Sequence, residues 1–450
     1  MIRDALLAVG LLLSTAHQLR VPGIPIGPGE LCLAIWVVLA LFHEAGRLGP
    51  PLTPALSRLL IFWLVFAVAQ SVGLLMGLAT EEFRDTASAA HDTVAYLLLA
   101  ALTCLIVVLP ETGRRLRRVT WIAVAFGAAS VAVLVAGALG LVRIPGIDPW
   151  WNDWNRLRGW SENPNQFGLL CSVLVLLSLY LAETAAEAST RFAALVCAAP
   201  SFVAGVLTRS DSFILIMLIA GPMFFALKLW TWLFSVERRL SLRTASACLL
   251  FLAFPALLAS ATPFAPAIID QAQKFAIETM EKNDQAENRF KLWREAIDIG
   301  IEAGGLGLGP GPHLVNKAWK RPPPDKFEAH FVVFDLFLQG GILAALSFIW
   351  LSAGTFLAAY RARQMALTTL IFSLFVFSMF HSFIIRHPIL WFSIALCLTA
   401  GEGVRRVSAD RNWNRRKCGG APVSSRQRER RGHLDGPPTE RGCHDHAATC

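Results

Sequence analysis

Residues 119–141 read VTWIAVAFGAASVAVLVAGALGL, a run of 23 residues without one charged side chain. A helix of about 20 apolar residues is long enough to cross the hydrocarbon core of a bilayer. Immediately before this run, residues 114–118 read RRLRR, and arginine clusters of this kind mark the cytoplasmic side of a membrane helix. The sequence therefore predicts a transmembrane helix that enters the bilayer from the cytoplasm near residue 119.

Comparable apolar runs follow one another along the whole chain of 450 residues. Hydrophobic residues make up 55% of the sequence and charged residues only 16%, whereas a soluble domain has roughly 25% charged residues. This composition excludes a disordered chain, a collagen-like fibre and an ordinary soluble enzyme. The apolar segments lie at about 5–19, 29–43, 58–79, 89–109, 119–141, 166–183, 191–208, 211–234, 244–262, 331–357, 365–385 and 388–404. They predict an all-α integral membrane protein with about 12 transmembrane helices.

The connections between these segments alternate in charge. Arginine-rich connections such as 114–118 and 238–243 alternate with connections that hold acidic residues or tryptophans, such as 81–85 and 142–165. The positive-inside rule then places both termini in the cytoplasm and the long loops outside. The predicted organisation is helices 1–9 with the outer Trp-rich loop (1–262), a large outer loop (263–330), helices 10–12 (331–404) and a basic, disordered cytoplasmic tail (405–450).

The formal net charge of +9 comes mainly from this tail, where eleven Lys and Arg stand against five Asp and Glu, or +6. A basic tail beside anionic headgroups accounts for that charge, so membrane lipids are the predicted partner and nucleic acid is not. The tail ends in a cluster of Cys443, His444, His446 and Cys450, which are residue types that bind zinc. Its Arg/Gly/Pro-rich surroundings are typical of disorder, and no metal site is predicted.

The outer Trp-rich loop, 142–165, leaves two interpretations open. Its tryptophans form an interfacial belt at headgroup level, or they hold sugar rings together with the neighbouring amide side chains. Arg156 and Arg158 lie on the side where positive charge is disfavoured, and so does Arg209 in the turn 208–212; such arginines suit an anionic partner such as phosphate. The candidate glycan- or donor-binding residues of the loop are Arg158, Arg156, Asn163, Asn165 and Trp160.

The large outer loop, 263–330, is predicted to contain an amphipathic surface helix at 268–280 and a second helix at about 285–303. The second helix is expected to bury one stripe formed by Phe290, Trp293, Ile297 and Ile301. Arg289 falls in its first turns, where the free N–H groups of a helix already favour an anion.

Two features end the large outer loop. Glycines at 304, 305, 307, 309 and 311 are interpreted as a close-packed or tightly turned segment, because no Gly-Lys-Ser/Thr follows them as in a phosphate-binding P-loop. His330 then stands where the chain re-enters the membrane. Histidine titrates near neutrality and can take a proton from a hydroxyl, so His330 is a candidate general base, although a lone histidine is more often structural.

These motifs occur in a fixed order: Asn163-Pro164-Asn165 after two arginines, the Arg209 turn, NRFKLW at 288–293, GLGLG at 305–309, and EAH at 328–330. The ordered set resembles the O-antigen ligase and polymerase family of bacterial envelopes, over roughly residues 30–400. The chain departs from the family pattern at two positions. Thr208-Arg209-Ser210 stands where Ser-Arg-Gly is common, and Phe331 stands where asparagine often follows the histidine.

The resemblance implies a GT-C-like, metal-independent membrane glycosyltransferase that needs no cofactor. Its members move a glycan from undecaprenyl diphosphate to an acceptor hydroxyl at the periplasmic face of the inner membrane. By position, His330 is the implied catalytic base, and Arg289 and Arg209 are the implied contacts of the diphosphate. The acceptor is lipid A–core in a ligase and another glycan in a polymerase. A ligase is favoured, with the polymerase as the close alternative.

A lipid-linked sugar transporter, which belongs to a different functional class from a glycosyltransferase, would have a similar number of helices. Transporters that couple to protons or ions commonly carry charged groups at mid-membrane, and many show repeated halves. The apolar segments lack Asp, Glu, Lys and Arg almost entirely in their middle, and the polar residues gather at the outer face. The sequence therefore favours a site at the outer boundary over a transport path.

Overall fold

The computed structural model describes residues 1–20, 26–45, 52–80, 86–109, 112–151, 156–233, 283–314 and 328–402. These residues are mostly helical, with one antiparallel pair of short strands, β1 (Trp150–Trp151) and β2 (Arg156–Leu157). The helices before the large outer loop are α1 (Ile2–Leu13), α2 (Pro28–Ala45), α3 (Pro54–Ala79), α4 (Thr86–Val108), α5 (Thr112–Ala138), α6 (Pro164–Thr184), α7 (Ala188–Leu207) and α8 (Asp211–Leu233). They are followed by α9 (Asn283–Glu302), α10 (Val332–Arg361), α11 (Met365–Ser378) and α12 (Pro388–Glu402), with short 3₁₀ turns at His17–Leu19 and Ser382–Arg386.

Seven of these helices, α3 to α8 and α10, are long and apolar enough to cross a membrane. Three shorter apolar helices, α2, α11 and α12, accompany them. The predicted apolar segments overlap helices, apart from 244–262, which lies outside the described residues. Two of them are too long, because the helices in 5–19 and 365–385 end at Leu13 and Ser378. The predicted surface helix at 268–280 and the tail at 405–450 also lie outside them.

The core of the described helices is built around α6 and α12, which are buried along most of their length. Trp391 of α12 packs against two aromatic rings of α3, with centroid distances of 4.4 Å to Trp63 and 5.4 Å to Phe62. The indole N–H of Trp63 donates to Thr103 Oγ1 of α4 at 3.0 Å. This buried hydrogen bond and the ring contacts hold the three helices together.

Helix α1 is fixed to α5 by a buried carboxylate. Asp4 is 3% exposed, and its two oxygens accept hydrogen bonds from Arg115 at 3.1 Å and Arg118 at 3.0 Å. A buried carboxylate is stable only when it is paired and hydrogen-bonded. Two arginines of the cluster that the sequence assigns to the cytoplasmic side thus also bind α1.

Helix α10 is kinked at Gly341, which has a φ of +66°. The kink leaves backbone carbonyl groups of α10 without helical partners, and N–H groups of the glycine-rich segment after α9 donate hydrogen bonds to them. Leu308 N–H donates to Leu338 O at 2.7 Å, and Gly309 N–H donates to Gln339 O at 2.8 Å. The glycine-rich segment therefore replaces helical hydrogen bonds that the kink breaks.

Small residues let this segment lie between α10 and α3. A Cβ placed on Gly73 of α3 would lie 2.2 Å from Gln339 O, and one placed on Gly77 would lie 2.2 Å from Leu308 O. Both distances are too short for any side chain. The interpretation of this segment as close-packed is confirmed.

Helix α9 is present nearly as predicted, but the face it buries is different. Phe290 and Ile301 are each 65% exposed and Ile297 is 38% exposed, so the predicted buried stripe is wrong for these three. The packed face instead carries the buried Leu292, Ala296 and Gly300 with the half-buried Trp293, and the buried Ala303 follows the end of the helix. Small residues at 296, 300 and 303 bring the helix close to α10, and close approach outweighs apolar bulk when helices pack beside lipid.

Candidate functional site

The site begins where α6 and α8 start side by side. Asn163 caps α6, with its Oδ1 accepting from Asn165 N–H at 3.0 Å and Gln166 N–H at 3.1 Å. Asn165 Oδ1 in turn accepts from Ser210 Oγ at 2.9 Å, and Ser210 precedes the first residue of α8. Side-chain oxygens at these positions satisfy free N–H groups, so the two helix starts are locked together.

Arg156 of β2 lies across these helix starts. Its Nε donates to Thr208 O at 3.0 Å and its Nη2 donates to Asn165 Oδ1 at 3.3 Å. Burial lowers the pKa of Arg156, the nearby carboxylate of Asp211 raises it, and the charge of Arg209 lowers it. The charge of the turn arginine, Arg209, therefore acts on the loop arginine, Arg156, at this end of the helices.

Arg289 of α9 is under the influence of the same carboxylate, Asp211, at the start of α8. Burial lowers the pKa of Arg289, while the carboxylate of Asp211 opposes that shift. The carboxylate of Asp211, at the start of α8, thus acts on arginines from two other parts of the chain, Arg156 and Arg289. Arg209 itself is exposed, as a residue that reaches for a ligand should be.

His330 stands immediately before α10 and is held by its neighbours. The N–H of Ala329 donates to Asp335 Oδ1 at 2.7 Å, and the carbonyl of Ala329 accepts from Trp293 Nε1 at 3.0 Å. His330 has a φ of +56°, in the left-handed region. Among the non-glycine residues that the structure describes, only Arg209, His330 and Arg363 have a positive φ, and backbone strain of this kind gathers at functional sites.

A charged network braces the same segment from the other side. Glu328 bonds the hydroxyl of Ser382 and the guanidinium of Arg386, and Arg386 Nη1 also donates to both oxygens of Asp92, at 2.8 and 3.0 Å. Asp92 belongs to α4, so the network ties the start of α10 to a second helix. With both flanks fixed, His330 has little freedom to leave its position.

We refer to Arg156, Arg209, Arg289 and His330 together as the cationic pocket. His381, which sequence reasoning missed, belongs with them, since the charges of Arg289 and Arg156 act on it. Its Nε2 lies 2.7 Å from Ser212 Oγ, and both side chains are buried. Burial is the main cause of the lowered pKa of His381, the charges of Arg289 and Arg156 lower it too, and together they bring it to about 3. A sequence signal existed, because residues 381–387, HSFIIRH, interrupt the apolar run with four polar residues.

The electrostatics of the pocket favour an anion and a neutral base. Burial lowers the pKa of His330, and the charge of Arg289 lowers it further. His330 is therefore an uncharged proton acceptor at neutral pH, next to arginines that remain charged. Three arginines and one carboxylate, Asp211, leave the pocket with a net positive charge, which suits phosphate groups.

Two of the predicted site residues have their described contacts elsewhere. Arg158 donates to the carboxylate of Asp148 at 2.8 Å and lies over the ring of Trp151 at 5.5 Å. Trp160 is 6% exposed, and its indole N–H donates to Thr15 Oγ1 at 2.9 Å. The structure therefore gathers Arg156, Asn165, Arg209, Arg289 and His330, keeps Asn163 as the cap beside them, and does not join Arg158 or Trp160 to this group. In the described ranges, no three His, Cys, Asp or Glu residues form a group that could hold a metal ion.

Fold and site together define a polytopic helical membrane protein with a cationic pocket at the ends of its helices. Residues 193–349 match the family model described as O-antigen ligase. The match spans Arg209, Arg289 and His330 and confirms the resemblance to the O-antigen ligase family that the ordered motifs indicated. It points to O-antigen ligation or polymerisation, a glycosyl transfer at a bacterial membrane. A search of curated proteins gave no match.

Proposed function

We propose that this protein transfers a glycan from undecaprenyl diphosphate to an acceptor hydroxyl at the periplasmic face of the bacterial inner membrane, and that the acceptor is lipid A–core. The observation that carries the proposal is the group of arginines at these helix starts: Arg156 bonds Thr208 and Asn165, the charge of Arg209 acts on Arg156, and the charge of Arg289 acts on the neutral imidazole of His330. A lipid-linked diphosphate is an anion at the membrane surface, and a hydroxyl acceptor needs a base. The arginines suit the anion, and the imidazole of His330 is the base for the hydroxyl.

The arginines hold the donor by its diphosphate. Guanidinium groups form paired, charge-assisted hydrogen bonds with phosphate oxygens, and Arg289 lies in the first turns of α9. Fixed positive groups of this kind neutralise the charge that develops as the diphosphate leaves, so transfer needs no metal ion. Arg289 and Arg209 are the principal diphosphate contacts, and Arg156 supports them.

His330 acts as the base in a single displacement. Its neutral imidazole takes the proton of the acceptor hydroxyl as the acceptor oxygen bonds to the anomeric carbon. The bond from that carbon to the diphosphate oxygen breaks, and its electron pair remains on the departing diphosphate. One displacement inverts the configuration of the anomeric carbon, so the enzyme is an inverting glycosyltransferase.

The topology that fits this chemistry has about 12 membrane crossings, with both termini in the cytoplasm. The large loop 263–330 is then periplasmic and brings Arg289 and His330 to the outer boundary. The apolar strip of α9 formed by Phe290, Ile297 and Ile301 is exposed beside α10. We expect the polyprenyl chain of the donor to enter the membrane through the cleft between the helices that flank this loop.

A polymerase that extends the lipid-linked chain is the alternative within the same family. It would use the same donor, the same face and the same residues, and it differs only in the acceptor. The size of the periplasmic loop that carries His330 favours the ligase, since a large acceptor has to be accommodated there.

Purified protein in liposomes, supplied with undecaprenyl diphosphate-linked glycan, tests the proposal on one gel with and without lipid A–core. A shifted band that requires lipid A–core is the expected result. A ladder of longer chains from the donor alone would replace the ligase with the polymerase. No transfer in either lane, from a donor that a known ligase accepts, would reject glycosyl transfer.

A further inference from the structure

The bond between Ser212 and His381 joins two elements that are distant in the chain. Ser212 is the second residue of α8, and His381 lies in the turn after α11. The distance from Ser212 Oγ to His381 Nε2 is 2.7 Å, and the two residues are 8% and 6% exposed. A buried polar pair of this kind is retained only if the partners satisfy each other.

The surroundings of the pair are those of the pocket. The ring of His381 packs against Phe377, with centroids 4.6 Å apart, and against Phe383 at 5.5 Å, so two apolar rings hold its orientation. Its polar edge meets Ser212, and the positive charges of Arg289 and Arg156 act on the imidazole. A hydroxyl that served packing alone would not need an imidazole partner among cationic groups.

Ser212 occupies a position from which it can reach an anion. The first N–H groups of α8 have no carbonyl partner within the helix and point past its start, and the charge of Asp211, the first residue of α8, acts on Arg289. The Ser212 hydroxyl has one proton to donate. If that proton goes to His381, only lone pairs face the pocket; if His381 Nε2 carries the proton and donates it, the hydroxyl proton is free.

We propose that His381 is a positioning residue for the transfer reaction, and that it donates from Nε2 to Ser212 Oγ so that the Ser212 hydroxyl donates to the diphosphate of the donor. This inference rests on the proposed function and adds Ser212 as a direct ligand of the departing group. His381 acts through Ser212 and does not itself touch the donor.

Binding of undecaprenyl diphosphate alone tests the inference without requiring transfer. Ser212→Ala and His381→Leu each remove one half of the pair, and each is expected to weaken binding about tenfold, as the loss of one hydrogen bond to a charged group does. Because both act through one hydroxyl, the double variant should bind no more weakly than Ser212→Ala. Losses that multiply in the double variant would overturn the proposal.

Three further variants separate positioning from folding. Ser212→Thr keeps the hydroxyl and His381→Gln keeps an N–H donor, so both should bind nearly as well as the wild type. Ser201→Ala changes a serine of α7 that is also buried, and its Oγ has no hydrogen-bond partner within the described residues; binding should be unchanged. Weak binding by Ser212→Thr at wild-type thermal stability would also overturn the proposal.

The binding assay also distinguishes this inference from the proposed function. A wild type that binds undecaprenyl diphosphate and shows the coupled losses, yet transfers no glycan, would support the pair and reject the glycosyltransferase. A wild type that transfers glycan but shows independent losses would reject the pair alone. A wild type that does not bind the lipid would reject both.

Discussion

Asp335 and Ala329 are joined by a hydrogen bond of 2.7 Å, in which the carboxylate of Asp335 accepts from the backbone N–H of Ala329. The bond connects the first turn of α10 to the residue that precedes His330. Together with the Trp293 indole on the carbonyl of Ala329, it holds the left-handed backbone of the histidine in place. The proposed base is thus aimed by residues that need not touch the substrate.

Replacing Asp335 by leucine should therefore slow transfer without weakening the binding of the lipid-linked donor. A displacement of about 1 Å at a catalytic group can cost about 100-fold in rate. We expect kcat in Asp335→Leu to fall by that order, with the KM for the lipid-linked donor close to the wild-type value. Steady-state kinetics on protein of verified thermal stability measure both quantities; a raised KM with normal kcat would show that Asp335 does not act on His330.

Arg156 and Arg158 of the Trp-rich loop should behave differently. Arg156 contacts the starts of α6 and α8, whereas Arg158 is paired with Asp148 outside the pocket. Arg156→Ala should reduce transfer about 100-fold, as the loss of one fixed charge near a developing anion does. Arg158→Ala is the matched control and should keep transfer within a few-fold of the wild type. Equal losses in the two variants, measured in the liposome assay, would contradict the assignment.

The pH dependence of transfer should report the influence of Arg289 on His330. Burial and the Arg289 charge lower the pKa of His330, so the base stays neutral, and activity persists, as the pH falls through the ordinary range of histidine. Arg289→Gln removes the charge and raises the pKa of His330, so the acid limb of kcat/KM should move to higher pH. Arg289→Lys keeps the charge and should leave the limb in place while the rate falls. One common acid limb in all three proteins would refute the coupling.

Much of this fold could be predicted from the sequence, because the bilayer imposes simple constraints. The length of apolar runs located the helices, and the glycines after α9 indicated close packing that Gly73 and Gly77 confirm. The buried face of α9 could not be predicted in the same way. Apolar residues such as Phe290 and Ile301 can face lipid as readily as protein, so apolar periodicity does not identify the packed side.

The site was predicted in part. Residue type and position singled out His330, Arg289 and Arg209, because outward arginines are unusual and the histidine opens a membrane helix. His381 was missed, since its partner Ser212 lies 169 residues away and only tertiary contact joins them. Trp160 shows the opposite case: a tryptophan in a polar loop suggested a sugar platform, and the fold buries it against Thr15.

A side chain at the kink of α10 should destabilise the protein. A Cβ on Gly341 would lie 2.1 Å from Gly305 O, at a backbone conformation that favours glycine. Gly341→Ala should lower the thermal midpoint in detergent by several degrees or prevent insertion. Gly221→Ala, in α8, is the control, because a Cβ there meets nothing within 4 Å and alanine favours helix. Equal stability of the two variants would show that the glycine segment does not pack as described.

His330→Ala offers the most direct test of the central claim, that a fixed cationic pocket holds the lipid-linked diphosphate while His330 removes the acceptor proton. The measurement is donor binding and single-turnover glycan transfer by this variant and the wild type in the same liposomes. The account predicts that the variant binds undecaprenyl diphosphate-linked glycan as well as the wild type and transfers it at least about 100-fold more slowly. Transfer within about tenfold of the wild-type rate would contradict it.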